Sequence, residues 1–204
     1  MEPTTLVRVS MVREHLEDLP CFPVPSPFTI RYYAPGDSAT WLAIQQAAEQ
    51  YQAVDQALFT RAFGTDEAAL RERQCFLCDG AGQAVGTATA WFHDDYHGRA
   101  CGRVHWVAVI PSLQGKGLGK VLMSEVCCRL RALDHTCAYL VTHTVRLPAI
   151  RLYLRFGFVP EIRVAEDLAA WRQVERQGLP LPQLPSPGPP RAGHGVASRA
   201  SQDR

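Results

Sequence analysis

The chain has 204 residues, 47% of them apolar and 20% charged, and its 21 basic and 20 acidic side chains leave a formal charge of +1. That length suits a single globular domain with a sizeable core. The near-neutral balance excludes a dedicated nucleic-acid binder or a protein held to anionic membranes by charge, and no apolar run approaches the ~20 residues that span a bilayer.

Residues 1–27 read as an irregular N-terminal segment. Arg8, Arg13, Glu14, Glu17 and Asp18 interrupt any signal-peptide core, so the cytoplasm is the expected location, and four prolines crowd His15–Pro27. The domain itself is expected over 28–178. Phe28–Tyr33 reads as a strand, and Ala34–Asp37 as a turn ending in a helix cap. Ser38–Tyr51 has the helical spacing, with Trp41, Ile44, Ala47 and Ala48 on one face, and Ala53–Phe63 and a segment from Thr65 are further helices. Cys75–Cys78 and Ala84–Phe92 form a hairpin through Asp79-Gly80-Ala81-Gly82, followed by a polar loop over His93–Cys101. Cys75 and Cys78 make a lone C-x-x-C and are read as strand packing rather than a metal or redox site. Seven cysteines, with Cys127 next to Cys128, are a poor disulfide framework.

Val104–Ile110 is apolar on both faces and is expected to be the central strand. A helix from about Gly117 to Leu133, a strand at Ala138–Thr144, a helix at Pro148–Phe156, a strand at Phe158–Val164 and a helix at Asp167–Gln177 complete the domain. Strands alternating with helices through short connections imply a mixed α/β sheet flanked by helices. Residues 179–204, rich in Pro with Gly, Ser and Arg, offer little to bury and read as a disordered tail.

The central strand runs into Ser112-Leu113-Gln114-Gly115-Lys116-Gly117-Leu118-Gly119-Lys120. A helix that starts inside this segment leaves its first amide N–H groups free and its positive dipole end facing outward, which suits an anion. Glycine at 115, 117 and 119 lets a phosphate approach the backbone, and Lys116 and Lys120 add charge. The spacing fits neither a P-loop nor G-x-G-x-x-G.

The segment resembles the cofactor signature [QR]-x-x-G-x-[GA] of the GCN5-related N-acetyltransferase (GNAT) superfamily, with Gln114, Gly117 and Gly119 in the signature positions. Downstream, Ala149-Ile150-Arg151-Leu152-Tyr153-Leu154-Arg155-Phe156-Gly157-Phe158 is similar to that family's A-x-x-L-Y-x-x-x-G-F segment. The resemblance covers roughly residues 28–164. It implies the family's fold, with strands Val104–Ile110 and Ala138–Thr144 splayed, and acetyl-CoA as acyl donor without a metal. It also implies that Gly115, Lys116, Gly117, Leu118, Gly119 and Lys120 bind the pyrophosphate and that Val107, Ala108 and Val109 meet the pantetheine arm. One departure is Arg146, where many members carry Asn seven residues before the tyrosine.

The expected reaction is acetyl transfer to an amine through a ternary complex. Tyr153 can hydrogen-bond the departing sulfur, since a thiol titrates near ~8.5 and a phenol near ~10; the alternative is a packed core tyrosine. An alkylamine titrates near ~10.4, so about one molecule in a few thousand is the neutral nucleophile at neutral pH. His105 is the candidate base, expected to alternate with Val107 and Val109 on one face; the alternative is a half-buried histidine bonded to backbone. His143, and Asp94 and Asp95 in the polar loop, are candidate acceptor-binding residues. The partner is a small-molecule or peptide amine, with neither nucleic acid nor membrane, and a homodimer stays open. The rival reading is a non-catalytic acyl-CoA sensor on the same fold.

Overall fold

The computed structural model describes residues 6–182 and 184. The first element, β1 (Arg8–Arg13), lies inside the segment read as irregular, and it is an interior strand of the sheet. Its alternating exposed and buried positions carry the signal; the prolines that follow it obscured that pattern. Then come β2 (Thr29–Tyr32), α1 (Asp37–Ala48), α2 (Gln56–Phe63), α3 (Glu67–Arg73), β3 (Gln74–Cys78), β4 (Ala84–His93) and β5 (Cys101–Val109). A 3-10 turn at Pro111–Leu113 leads to α4 (Leu118–Ala132), β6 (Ala138–His143), α5 (Leu147–Arg155), β7 (Val159–Pro160) and α6 (Ala165–Arg176).

Local chemistry sets the boundaries. Asp55 accepts the Leu58 amide at 2.7 Å and starts α2, and Asp66 caps α3 in the same way. Asp37 is the first residue of α1 rather than its cap, which is Gly36. Its carboxylate accepts the Ala34 amide and a two-pronged bond from Arg31, tying β2 to the helix. The strand expected over Phe158–Val164 shrinks to Val159–Pro160, because β1, its neighbour, is matched there only by Met11 and Val12.

The seven strands run β2-β3-β4-β5-β6-β1-β7, so β5 is central as expected. All neighbours are antiparallel except β5 and β6. One core joins the sheet to α4, α5 and α6 through Leu122, Leu130, Ile150, Phe156 and Trp171. A second, on the other face, gathers Trp41 and Ile44 of α1, Phe59 and Phe63 of α2, and Leu70 of α3. The segment after α6 contributes to the first core as well, with Leu179 and Leu184 both buried. The expectation that it has little to bury therefore fails at its start, and the rest of it lies outside the described residues.

Two irregularities of β5 position everything that follows. Thr87 pairs with Ala108 and Thr89 with His105, so Trp106 and Val107 together oppose Ala88, a β-bulge. Trp106 takes up the extra length with φ of 51°, unusual for a bulky residue. The Gln45 side-chain amide, buried on α1, donates to the Trp106 carbonyl at 3.0 Å. The second irregularity is that β5 and β6 pair only at Gly102–Ala138 and Arg103–Tyr139, then part. Gln45→Leu should cost roughly 1–3 kcal/mol by leaving a buried carbonyl unpaired, read as a lower urea midpoint at unchanged slope.

Candidate active site

The parted strands open onto two cavities. The smaller, about 270 Å³, is lined by Val107, Ala108 and Val109 of β5, by Gln114, Gly115, Leu118 and Gly119, and by Leu152 and Tyr153 of α5. Gln114 anchors this turn by donating from its side chain to the Val109 carbonyl at 2.8 Å. Gly115 and Gly117 have φ of 76° and 84°, a backbone conformation that glycine adopts without strain. A Cβ at Gly115 would meet nothing within 4 Å, so that backbone faces open space. The Lys120 amide closes on the Gly117 carbonyl at 3.0 Å, while the amides of residues 115–119 have no backbone acceptor among the described residues. The turn is thus a set of open donors at the positive end of α4, suited to a diphosphate. Lys116 is exposed, and the Lys120 ammonium sits 5.0 Å above the Phe22 ring, so neither lysine is among the residues lining the cavity.

The larger cavity, about 450 Å³, lies between α1, α2, β4, β5 and β6. The two share Gln45, Glu49, Val107, Arg146 and Tyr153, which mark their junction. Tyr153 is 9% exposed, and burial, opposed by Arg146, raises its phenol from the ordinary value to about 12. It stays protonated throughout the neutral range.

His105 lines the larger cavity, but not as the alternation implied. The bulge adds one residue and inverts the faces beyond it. His105 therefore packs on Phe63 at 5.4 Å, in the second core, while Val107 and Val109 pack in the first. Burial and then the Arg103 charge hold its pKa well below the usual histidine value, so it is neutral and only weakly basic. Its Nε2 is buried without a partner among the described residues. His143 also lines this cavity, its pKa lowered by burial and by Arg146 and Arg8. Asp94 and Asp95 line neither cavity. Asp95 accepts the Gly98 amide at 2.8 Å and gives its own amide to His93. The cysteines of the C-x-x-C are buried strand residues, and burial raises Cys75 to about 12.

Sequence reasoning missed the feature at the junction itself. Arg146 donates to both Glu49 carboxylate oxygens, at 2.8 and 2.6 Å, and stacks 5.1 Å over Tyr51. The departure from Asn at 146 was visible; its partner, 97 residues away in sequence, was not. Burial opposes ionisation of Glu49, but Arg146 and the Tyr51 amide win and leave its carboxyl below the ordinary 4.5.

Residues 39–158 match the profile of the Acetyltransferase (GNAT) family. The mycothiol acetyltransferase of Pseudarthrobacter chlorophenolicus is 33% identical over 150 residues, which are 69% of this chain and 45% of that protein. The mycothiol acetyltransferase of Streptomyces griseus is 33% identical over 66% of this chain and 44% of its own length. The chain thus spans less than half the length of these relatives. Among solved structures, a GCN5-related N-acetyltransferase from Sphaerobacter thermophilus superposes with a TM-score of 0.60 at 22% identity, over 76% of this chain and 48% of that one. The ribosomal-protein-S18-alanine N-acetyltransferase of Escherichia coli gives 0.52 at 21%, over 64% and 76%. Both are likenesses of fold.

The Glu49–Arg146 pair has a measurable pH signature. Because the folded state binds the Glu49 proton more weakly than the unfolded chain, stability from the pair is present above the ordinary 4.5 and is lost as pH falls through the lower folded value. The carboxylate is 3% exposed and the guanidinium 28%. Arg146→Met should therefore cost roughly 2–3 kcal/mol at neutral pH, less than the 3–5 of a fully buried pair. Urea unfolding of both proteins should show that gap shrinking at pH 4 and below.

Proposed function

Since the chain belongs to the GNAT acetyltransferase family, for which acetyl-CoA is the donor, we propose that it transfers an acetyl group from acetyl-CoA to an amine within a ternary complex. The observation that carries this reading is the junction of the two cavities at Tyr153, where the central strands part. Each cavity suits one reactant. The smaller has a strand for an extended arm and open amides for a diphosphate; the larger is separate and deep enough for an acceptor.

When bound, acetyl-CoA would supply an activated thioester. Gly115, Gly117, Leu118 and Gly119 would hold its diphosphate through their amides, and Val107, Ala108 and Val109 its arm, by strand-like hydrogen bonds. The bulge at Trp106 interrupts the β4–β5 ladder beside Val107, which lines both cavities, and a β5 N–H there would meet the carbonyl oxygen as it gains charge. The Tyr153 phenol donates a hydrogen bond to the departing sulfur. With its pKa raised to about 12, full proton transfer to a thiolate is uphill, and its part is to stabilise charge while the thiolate takes its proton elsewhere. No covalent enzyme intermediate is needed, because the cavities bring amine and thioester together. The rival, a sensor that binds without turnover, would bind acetyl-CoA but release no thiol from it with any amine.

Calorimetric titration with acetyl-CoA and with desulfo-CoA should show micromolar binding that Gly117→Glu abolishes. Absence of binding by either ligand removes the reading. Tyr153→Phe should leave acetyl-CoA affinity within about twofold and lower kcat about a hundredfold, the scale of one lost charge-stabilising donor. The wild-type pH–rate profile should show no limb from this tyrosine below pH 10, since its pKa is raised.

A further inference from the structure

Two of the seven cysteines meet across the sheet. Cys101 opens β5, and Cys137 directly precedes β6, 36 residues on in sequence. Both thiols are free, and their Sγ atoms lie 2.9 Å apart. The backbone aligns them. The Gly102 amide donates to the Cys137 carbonyl at 3.0 Å, and Gly102–Ala138 is one of the two pairs that β5 and β6 make. Cys101 and Cys137 are thus neighbours on adjacent strands, just outside that pairing. Strands ~4.8 Å apart fall within the ~4.4–6.8 Å between α-carbons that a disulfide spans.

Their side chains share a face. Both belong to one small buried cluster with Tyr139, and Arg103, two residues on from Cys101, stacks 5.6 Å over the Tyr139 ring. The two rows continue along that face into the larger cavity, as Arg103 and His105 of β5 and Val141 and His143 of β6. The cysteines therefore stand at the closed end of the fork whose open end holds the cavities, and neither of them lines a cavity.

Burial decides what can reach them. Cys101 is 0% exposed and Cys137 2%, which leaves no room for a bulky thiol compound to add as a mixed disulfide. Ala100 and Thr136, immediately before them, are exposed, so fraying of the strand ends admits a very small molecule. Burial and the Cys137 thiol raise the Cys101 pKa, while Arg99, held to Glu14 at 2.7 Å, acts against that rise. At rest Cys101 is a thiol, and its oxidation is slow.

We propose that Cys101 and Cys137 are an oxidative modification site that takes hydrogen peroxide and closes to an intramolecular disulfide, a latch on the closed end of the β5–β6 fork. On transient ionisation one thiolate attacks a peroxide oxygen. The S–O bond forms, the O–O bond breaks, and hydroxide leaves as water with the proton that the thiol gave up. The second sulfur then attacks the sulfenic acid, the S–S bond forms, the S–O bond breaks, and a second water carries off the remaining thiol proton. Two thiols are oxidised to one disulfide while one peroxide is reduced to two waters. The loop so closed contains the glycine turn and all of α4, and in the unfolded chain the crosslink restrains that whole segment. None of this depends on acetyl transfer.

The test oxidises reduced wild-type protein with millimolar hydrogen peroxide, alkylates the remaining thiols and digests with trypsin in the absence of reductant. Trypsin places Cys101 in residues 100–103 and Cys137 in residues 132–146, each without another cysteine. The two peptides should travel as one crosslinked mass and separate on reduction. The oxidised protein should melt about 5–10 °C above the reduced one, as a loop of this length implies, and by NMR its Gly102 amide should exchange about tenfold more slowly. Cys137→Ser should lose both the crosslink and the rise in melting; the wild-type map decides even if that variant does not fold. Absence of the crosslinked mass, with both thiols alkylated or carried on to sulfinic acids, would overturn the proposal whatever happens at exposed Cys21. A crosslink that leaves melting and Gly102 exchange unchanged would overturn the latch.

Discussion

The site depends on one constraint, that β5 stops pairing with β6 after two residues. A parallel pair left open at one end exposes backbone donors and acceptors that a continuous sheet would use up. Here the cost is contained locally. The bulge at Trp106 diverts β5, the Gln45 amide takes the carbonyl that the bulge displaces, and the Gln114 side chain takes the Val109 carbonyl farther along. α5 then lies across the opening, with Tyr153 at the junction of both cavities. The gap survives because side chains from α1 and from the glycine turn replace the missing strand. Its two sides are therefore bound to elements that line the cavities, and occupancy of either cavity should stiffen the same scaffold.

The Glu49–Arg146 pair belongs to this arrangement. It bridges α1 to the turn that starts α5, and so connects the helix carrying the Gln45 clamp to the helix carrying Tyr153. Both residues line both cavities. An asparagine at 146 could not make this bond, because its side chain is too short and carries no charge. The substitution relative to the family signature thus exchanges a short polar group for a strut with a charge at its tip.

Much of this was legible in the sequence, in uneven degree. The α1, α2, α4 and α5 helices and the β3–β4 hairpin follow from periodicity and turn chemistry, and the glycine turn follows from spacing plus the rule for helix N-termini. What failed did so for nameable reasons. β1 is short and precedes a proline-rich stretch, so composition masked six residues of alternation. The facing of His105 depends on a single extra residue in β5, which shifts every later side chain to the other face and leaves no mark in the apolar pattern, because β5 is buried on both sides. The charge of the larger cavity was invisible for a topological reason. Arg8, Arg61, Arg103 and Arg146 are scattered over the chain and meet only after β1 inserts beside β6.

The same charge bears on where the acceptor's proton goes. His105 is neutral but a weak base, and among the described residues no carboxylate other than the engaged Glu49 lines the cavity. His143 lines the same cavity, and the charge of the wall bears on the amine's proton as well. One unit charge ~6 Å from an ammonium, at an effective dielectric of ~20, disfavours it by about 3 kcal/mol, or about 2 pKa units. An amine that titrates at ~10.4 in water would then titrate near ~8.4, and its neutral fraction at pH 7 would rise from about one in a few thousand to about one in 25. A guanidinium of the wall at that distance would thus help the amine shed its proton to water at the open side of the cavity.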